Sequence, residues 1–443
     1  MTEKRYNEIL EHLKTIIEGS VFQGHVYSVG GCERDVKLGN TIKDIDLVVD
    51  IQNGGIMLAE WLYNNGELLW APVIYQNFGT AMFVLKGFPD EELEAVQTRK
   101  ECYRDINSRD PETAFGTIHD DCTRRDFTVN AFYRNISTGE SIDFNGNSEA
   151  DLEGKIIRTC GDPEIIFNED PLRILRMVRF SSRLGFKIED KTFECAKKYV
   201  DRLSIISRER IHDEFIKMCS VRDFSQFLTA ITTIWDLGAF KYIIPYLGNL
   251  NHLQIYYLID RIYDFWLYNV YPKPEELFAA MLYNDPDAEE EMKELKCCND
   301  FINEVMFYIN TSKEYVKILE TDEYYDENET YIFRRFMHVC GSSRKLQIVL
   351  SINSTLYDMF FDYSYGYECS LFRELENENM MFYGYKLPVD GNDVMNVLGI
   401  GPSEKVKIVL DRLLKFVFVN PDHSDRDSLM RYLEQIIKKD FQL

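Results

Sequence analysis

Two aspartates one strand-step apart, Asp44 and Asp46, constrain this chain more than any other feature. They lie in the run Lys43-Asp44-Ile45-Asp46-Leu47-Val48-Val49-Asp50. Its first residues alternate polar with apolar, so as a strand it carries both carboxylates on one face. Fourteen residues upstream of Asp44, the β-branched run Val26-Tyr27-Ser28-Val29 ends in Gly30 and Gly31. Two glycines at a strand end let a phosphate approach backbone N–H groups. Paired carboxylates can share divalent metal ions, and metal-holding acids beside a phosphate cradle point to nucleotidyl transfer. Arg34 and Asp35 complete this constellation, the arginine as a triphosphate contact. Asp-x-Asp alone reads as a solvated strand edge; the Gly-Gly lead-in with Arg34 and Asp35 shifts the balance. Glu94, in the run Glu94-Ala95-Val96-Gln97-Thr98-Arg99, is a candidate third carboxylate on a neighbouring strand. An exposed strand residue is an equal reading of it.

A chain of 443 residues is too long for one simple core, which predicts two to four domains. The longest apolar runs, such as Leu413 to Val419, are too short to span a bilayer, and no membrane association is expected. The N-terminus reads as an amphipathic helix (Ile9, Leu13, Ile16, Ile17) and not as a signal peptide. Ten cysteines without a Cys-x-x-Cys pair predict reduced thiols in a cytoplasmic protein and exclude a structural zinc site. The net charge of −24 argues against a nucleic-acid partner over most of the surface. The stretch from Arg173 to Lys217 departs from it, with 12 Lys and Arg against 7 Asp and Glu. Acid concentrates elsewhere, from Asp285 to Glu291 and from Glu320 to Glu329.

Residues 1 to about 150 read as mixed α/β. Strands are expected at 25–29, 44–50, 73–76, 80–85 and 94–98, with a helix near 56–63. Residues 99–123 read as a long polar loop and 124–135 as a helix or strand-helix element. From about 151 the pattern is helical, with Leu172, Leu175, Val178 and Leu184 on one stripe. Boundaries are expected near Asn145-Gly146, Tyr271 to Pro274, and Leu387-Pro388. The aromatic stretches 256–271 and 357–367 read as packing surface, because no basic residues accompany them.

Three further segments carry chemistry. In Arg124-Arg125-Asp126-Phe127-Thr128-Val129-Asn130-Ala131, two arginines beside an Asp and an Asn can bind phosphate and ribose. In Glu169-Asp170-Pro171-Leu172-Arg173-Ile174-Leu175-Arg176-Met177-Val178-Arg179-Phe180, Pro171 suits the first helical position and makes Asp170 the N-cap. Spacings of three put Asp170, Arg173, Arg176 and Arg179 along one slowly drifting face. Arginines there without intervening acids should bind anions, and an acceptor beside a bidentate donor can read a base edge. The run Ser207 to Lys217 reads as a capped helix start, mainly structural, with Asp213 and Lys217 paired. His212-Asp213 lacks the further His and Asp set of a metal phosphohydrolase.

Taken in this order, the four segments resemble the class II tRNA nucleotidyltransferase and bacterial poly(A) polymerase family of the polymerase-β superfamily. The close match runs from about Val26 to Lys217. A weaker one, from Val389-Asp390-Gly391 to Gly399-Ile400-Gly401-Pro402, is similar to the tail helices of CCA-adding members. The resemblance implies an α+β fold with a polymerase-β-like head and small mixed sheet (1–150), then a helical neck for nucleotide selection (151–220), a helical body (221–385) and a helical, tRNA-binding tail (386–443). It implies that Asp44 and Asp46 hold Mg²⁺, and that Gly31, Arg34 and Arg125 contact the incoming nucleotide, with Asp126 near its ribose. It further implies that Asp170 and Arg173 hydrogen-bond the Watson–Crick edge of CTP or ATP, while Arg176 and Arg179 complete the pocket. Glu33 departs from the family, which usually has an apolar residue before the Arg-Asp pair; a side chain turned away from the triphosphate would be harmless.

The implied activity is template-independent addition of C, C and A to tRNA 3′ ends, with tRNA as the partner. A poly(A) polymerase would share the head motifs, but such enzymes usually carry a basic C-terminal extension, whereas residues 221–443 are acidic. A CC-adding enzyme resembles the complete one with its flexible loop shortened, whereas 24 residues separate Arg99 from Arg124 here. Addition of A alone stays open. A non-catalytic tRNA-end binder would have no need of Asp44 and Asp46.

Overall fold

Thr2 opens the first helix, its hydroxyl accepting the Arg5 N–H, and α1 runs Glu3–Ile17. The computed structural model describes residues 1–76, 79–102, 112–268, 271–319, 329–353 and 376–440, in two units, Met1–Gly248 and Asn249–Leu443. Tyr6, Ile9, Leu10, Leu13 and Ile17 are buried, the helical spacing of a single core-facing stripe. They share a core with Val26, Ile45, Leu47 and Val49.

The elements that follow are β1 (Val26–Val29), α2 (Gly31–Lys37), β2 (Ile45–Val49), α3 (Gly54–Asn64), β3 (Val73–Tyr75), β4 (Thr80–Val84) and β5 (Glu92–Gln97). Next come β6 (Arg99–Cys102), β7 (Glu112–Phe115), α4 (Ile118–Thr123), β8 (Tyr133–Asn135) and β9 (Ser141–Ile142). One seven-stranded sheet has the order β3-β4-β5-β2-β1-β8-β9. Only β2 and β5 pair in parallel within it, with the crossover through α3 that parallel neighbours require. Gly55 lets α3 lie on β5: a Cβ there would come within 2.4 Å of the Ala95 carbonyl oxygen. Along β2, Ile45, Leu47 and Val49 point into the α1 core, while Val48 joins Val29, Ala131 and Tyr133 on the opposite face. Period-two alternation puts Asp46 on that second face.

Two local expectations change. The stretch 99–123 is not a plain loop: β6 pairs antiparallel with β7 and α4 follows, while 103–111 lie outside the described residues. The segment 124–135 is mostly irregular, with one 3₁₀ turn (Thr128–Asn130) before β8.

Helices then dominate the first unit: α5 (Ser148–Glu153), α6 (Pro163–Glu169), α7 (Leu172–Leu184), α8 (Asp190–Lys198), α9 (Arg208–Cys219), α10 (Phe224–Leu237), α11 (Phe240–Ile243) and α12 (Pro245–Gly248). Short strands Ile156–Ile157 and Lys187–Ile188 form a parallel pair beside α7. Leu172, Leu175 and Val178 are buried as the stripe requires, and α7 packs against α9 and α10. Thus α10 to α12 belong to the first unit, beyond residue 220.

The second unit is helical among its described residues. In its first helix, His252–Tyr268, the aliphatic Ile255, Leu258 and Ile262 are buried, whereas Tyr256 and Tyr257 are more than half exposed. Within the aromatic stretch 256–271, Phe265 is fully buried as expected of packing surface, whereas Tyr256, Tyr257, Tyr263 and Tyr271 are exposed; the stretch 357–367 lies outside the described residues, as does most of 320–329. Glu276, fully buried, accepts two hydrogen bonds from Arg344. Near the C-terminus, helix Gly391–Leu398 opens on an Asp390–Asp393 capping box and ends at Gly399 in the left-handed region. No helix among the described residues is long and apolar enough to cross a membrane.

One buried polar cluster ties α1 to the rest. Glu33, at the start of α2, is 3% exposed; its Oε1 accepts from the hydroxyls of Tyr6 and Ser28, whose oxygens are 2.8 Å apart. The acid that breaks the family pattern is thus turned inward, beneath α1. Replacing Glu33 with Ala removes the shared acceptor. Tyr6 can still donate to Ser28 Oγ, but one buried hydroxyl hydrogen loses its acceptor, so the opening free energy of the β1 amides should fall by about 1–3 kcal/mol. Native-state hydrogen exchange measures this; an effect no larger than that of the exposed control Glu60→Ala would refute the role.

Candidate active site

The site begins where β1 stops. Gly30 has φ +86°, a conformation L side chains rarely adopt, and it turns the chain from β1 into α2. A Cβ on Gly30 would lie 3.5 Å from Asp46 Oδ2 and 3.7 Å from Arg125 Nη1. The glycine therefore keeps the backbone open beside the carboxylate. Register supplies the neighbours: Val29 stands opposite Asp46 across β1 and β2, and Glu94 opposite Asp46 across β2 and β5. Asp44 immediately precedes β2 and is exposed.

Burial pushes the Asp46 carboxyl up; Arg125 pulls the other way and the charge of Asp44 adds to the rise. Burial, then Asp46, also raises Glu94. Anionic side chains held against desolvation and mutual repulsion favour a bound cation. No group of three or more metal-ligating side chains occurs among the described residues. Asp44 and Asp46 both line the cleft described below, and a pair of carboxylates could hold an ion that keeps water or phosphate oxygens as its other ligands. Glu94 is next to Asp46 in register but does not line the cleft described below.

A cleft of about 250 Å³ opens over these residues. From the head it is lined by Gly30, Gly31, Arg34, Asp44, Asp46, Arg125 and Asp126; from α7 come Arg176 and Arg179. Nine of the residues expected from sequence therefore converge. The cleft also takes in Cys32, Asp35, Lys43, Asn130, Phe180 and Arg183. Of these, Cys32, Lys43, Phe180 and Arg183 were not singled out by the sequence reading; Arg183 lies four residues beyond Arg179, a spacing that continues the same helical face.

The arginines are not a bare anion-binding stripe. Arg34 donates to both Asp35 oxygens, at 2.9 to 3.0 Å, and to Asn130 Oδ1. Arg176 donates to Asp126 Oδ2 through Nε and Nη2 at 2.9 and 2.6 Å. Burial alone would raise the Asp126 carboxyl, but Arg176, Asn130 and the Phe127 N–H bring it down to about 2. Arg179 donates to Glu214 Oε2 at 2.6 Å. Arg125 donates to Asp121 Oδ2 and, at 2.8 Å, to the Tyr133 hydroxyl. Asp121, completely buried, also takes Arg124 on its other oxygen. Sequence reasoning missed Asp121, although its positions three and four residues before the arginine pair are those of helical neighbours.

Asp170 and Arg173 lie outside the cleft lining. Asp170 Oδ1 accepts the Leu172 N–H at 3.2 Å, but it is not the N-cap expected: Pro171 holds that position, α7 begins at Leu172, and Asp170 closes α6. Its Oδ2 accepts from Arg210 at 2.9 Å. Arg173, 8% exposed, donates to the carbonyls of Arg124 and Ile166 and pairs with Glu169, clamping the end of α6 to the chain after α4. In α9, Lys217 pairs with Glu214 and not with Asp213.

Residues 26–158 match the family described as Poly A polymerase head domain, and residues 185–250 that described as Probable RNA and SrmB- binding site of polymerase A. The CCA-adding enzyme of Lactobacillus delbrueckii subsp. bulgaricus is 33% identical over 228 residues, 51% of this chain and 54% of that protein. In this and similar matches the chain spans about half the length of the curated relatives. The CCA-adding enzyme of Anoxybacillus flavithermus is 32% identical over 308 residues, 68% of this chain and 70% of that protein. In fold, the chain is similar to the crystal structure of the Bacillus stearothermophilus CCA-adding enzyme in complex with CTP, with a TM-score of 0.71 at 22% identity over 99% of this chain and 98% of that one. With head motifs, sheet and helical continuation in agreement, and identity of this level extending over more than two thirds of a curated member, the chain belongs to the family of CCA-adding enzymes.

Proposed function

We propose that the chain is a CCA-adding tRNA nucleotidyltransferase, which extends tRNA 3′ ends by C, C and A from CTP and ATP without a template. The observation that carries this reading is the convergence of Asp44, Asp46, the Gly30–Gly31 turn and the α7 arginines on one cleft. Family membership supports it. The tRNA 3′-hydroxyl attacks the α-phosphate of the nucleotide; a new P–O bond forms as the bond to pyrophosphate breaks.

Nucleotidyltransferases of this family generally use a divalent metal, and Mg²⁺ is the ion proposed. Asp44 and Asp46 would hold it, since Mg²⁺ commonly takes one or two carboxylates plus substrate phosphates. Metal bound there supplies neutralisation on the attacking and leaving oxygens of an in-line displacement. The protein's own groups do the rest. Gly30 and Gly31 admit the phosphates, Arg34 and Arg125 face them with guanidinium orientations fixed by Asp35 and Asp121, and Asp126 serves the ribose. Arg176 and Arg179 close the cleft wall.

Nucleotide choice is assigned to Asp170 and Arg173. The Asp170–Arg210 pair is partly exposed, with side chains 27% and 52% accessible. An ion pair of that kind contributes little, about 0–1 kcal/mol, and yields readily to a base edge. The thiols Cys32, Cys122 and Cys160 accord with a reducing compartment, and the cytoplasm is the proposed location.

Three measurements test the reading. Offered tRNA lacking its 3′ end with CTP alone, ATP alone or both, the protein should add CC, nothing, and CCA. A single A or a long A tail would replace the reading by A addition or poly(A) synthesis. Asp44→Ala should lower incorporation by about 10³-fold or more with folding intact; turnover at the normal rate would sink the assignment. Asp170→Ala should change the CTP/ATP preference about tenfold and leave the metal requirement unaltered; unaltered preference would remove the templating role.

A further inference from the structure

Six cationic side chains line the cleft: Arg34, Lys43, Arg125, Arg176, Arg179 and Arg183. Four of them are already engaged by acids, Arg34 by Asp35, Arg125 by Asp121, Arg176 by Asp126 and Arg179 by Glu214. Their guanidinium groups are largely satisfied, and their charge is matched before any ligand arrives. Among the described residues, Lys43 and Arg183 have no side-chain hydrogen bond or ion pair. Both are exposed, so neither must surrender a buried partner to take an anion.

Their positions differ. Lys43 immediately precedes Asp44, beside the proposed metal-holding acids. Arg183 sits in the last turn of α7, seven residues after Arg176 and four after Arg179, the spacing of one helix face. Arg173, at the other end of that face, is consumed by backbone carbonyls. The anion-binding capacity of α7 is therefore displaced toward its C-terminal end.

We infer that Lys43 and Arg183 are the charge-donating contacts to the polyphosphate of the incoming nucleoside triphosphate, and that the four paired arginines act chiefly as the preorganised wall against which it lies. The inference rests on the cleft being the nucleotide site. The anion is taken from the nucleotide, not from the RNA backbone, because both cations line the same cleft as Asp44 and Asp46. The two do not read the base, since a lysine or arginine contact to phosphate is the same for C and A.

The test compares the full chain with Lys43→Ala, Arg183→Ala and Arg183→Lys. Equilibrium binding is measured for CTP, ATP, CMP and inorganic pyrophosphate in Mg²⁺, and KM for tRNA is measured alongside. Each alanine variant should weaken CTP, ATP and pyrophosphate alike, by about fivefold or more, with CMP and the tRNA KM unchanged. Arg183→Lys should recover most of the loss. Unchanged CTP and pyrophosphate affinity in both alanine variants overturns the inference, as does a rise confined to the tRNA KM. Failure of the unsubstituted protein to bind CTP would instead overturn the nucleotide-site reading itself. Both side chains are exposed, and unaltered thermal unfolding should accompany each substitution.

Discussion

Negative charge confined at the mouth of a sheet is the condition to which the first unit is built. Asp46 is largely withdrawn from water, and burial, with the charge of Asp44 one strand-step away, raises its carboxyl. Arg125, whose charge acts on Asp46, cannot swing freely toward them. Asp121 and Tyr133 grip its Nε and Nη2, while Nη1 faces the Gly30 turn. Asp121 is fully buried and would itself be costly without the two arginines that share it. The arrangement is a chain of opposite charges, each held by the next, ending at an acid pair that the proposed divalent metal would complete.

The same logic reconciles an acidic protein with an anionic ligand. A net charge of −24 repels phosphate at long range, but over distances beyond about 10 Å salt screens it. Inside the cleft the local count differs. Six cations line it and four acids, with Asp121 and Glu214 standing behind two of the arginines. The wall is close to neutral. A triphosphate entering it meets little repulsion but little net attraction, and its charge must be met by metal and by whichever cations remain unengaged. Buried paired arginines serve geometry more than affinity, since breaking such a pair leaves a desolvated charge behind.

Strand periodicity, the glycine turn and the α7 stripe were legible in the chain because each is a local pattern. Asp44 and Asp46 share a face by alternation alone, and Gly30 is required by its positive φ. What could not be read is the pairing between distant segments. Arg176 meets Asp126 fifty residues away and Arg179 meets Glu214 thirty-five residues away, so a stripe without acids on its own helix is nonetheless neutralised. The Arg99-Lys100-Glu101-Cys102 strand lacks any apolar alternation, because its order comes from pairing with Glu112–Phe115. The end of the first unit at Gly248 carries no proline-rich signal; it follows from α10 packing on α7, a tertiary fact. Glu33 looked like a liability only while its partner, Tyr6 on the N-terminal helix, was out of view.

Helix α7 then separates three duties along one face. Just before its start, Asp170 accepts the Leu172 N–H with one oxygen and lends the other to an exposed arginine, which leaves it exchangeable. Arg173 and Arg176 join α7 to the segment after α4, the first through the carbonyl of Arg124, the second through Asp126. Those bonds tie the segment that carries Asp170 to the segment that carries Arg125. A shift of α7 must therefore move the Arg124–Asp126 segment with it, or break the two hydrogen bonds from Arg176 to Oδ2 of the almost fully buried Asp126. Since a desolvated charge left unpaired costs several kcal/mol, about 3–5 by typical measurement, the two segments behave as one rigid wall. The base recognition proposed at one end and the phosphate binding proposed at the other would thereby be held in fixed register by interactions that touch neither.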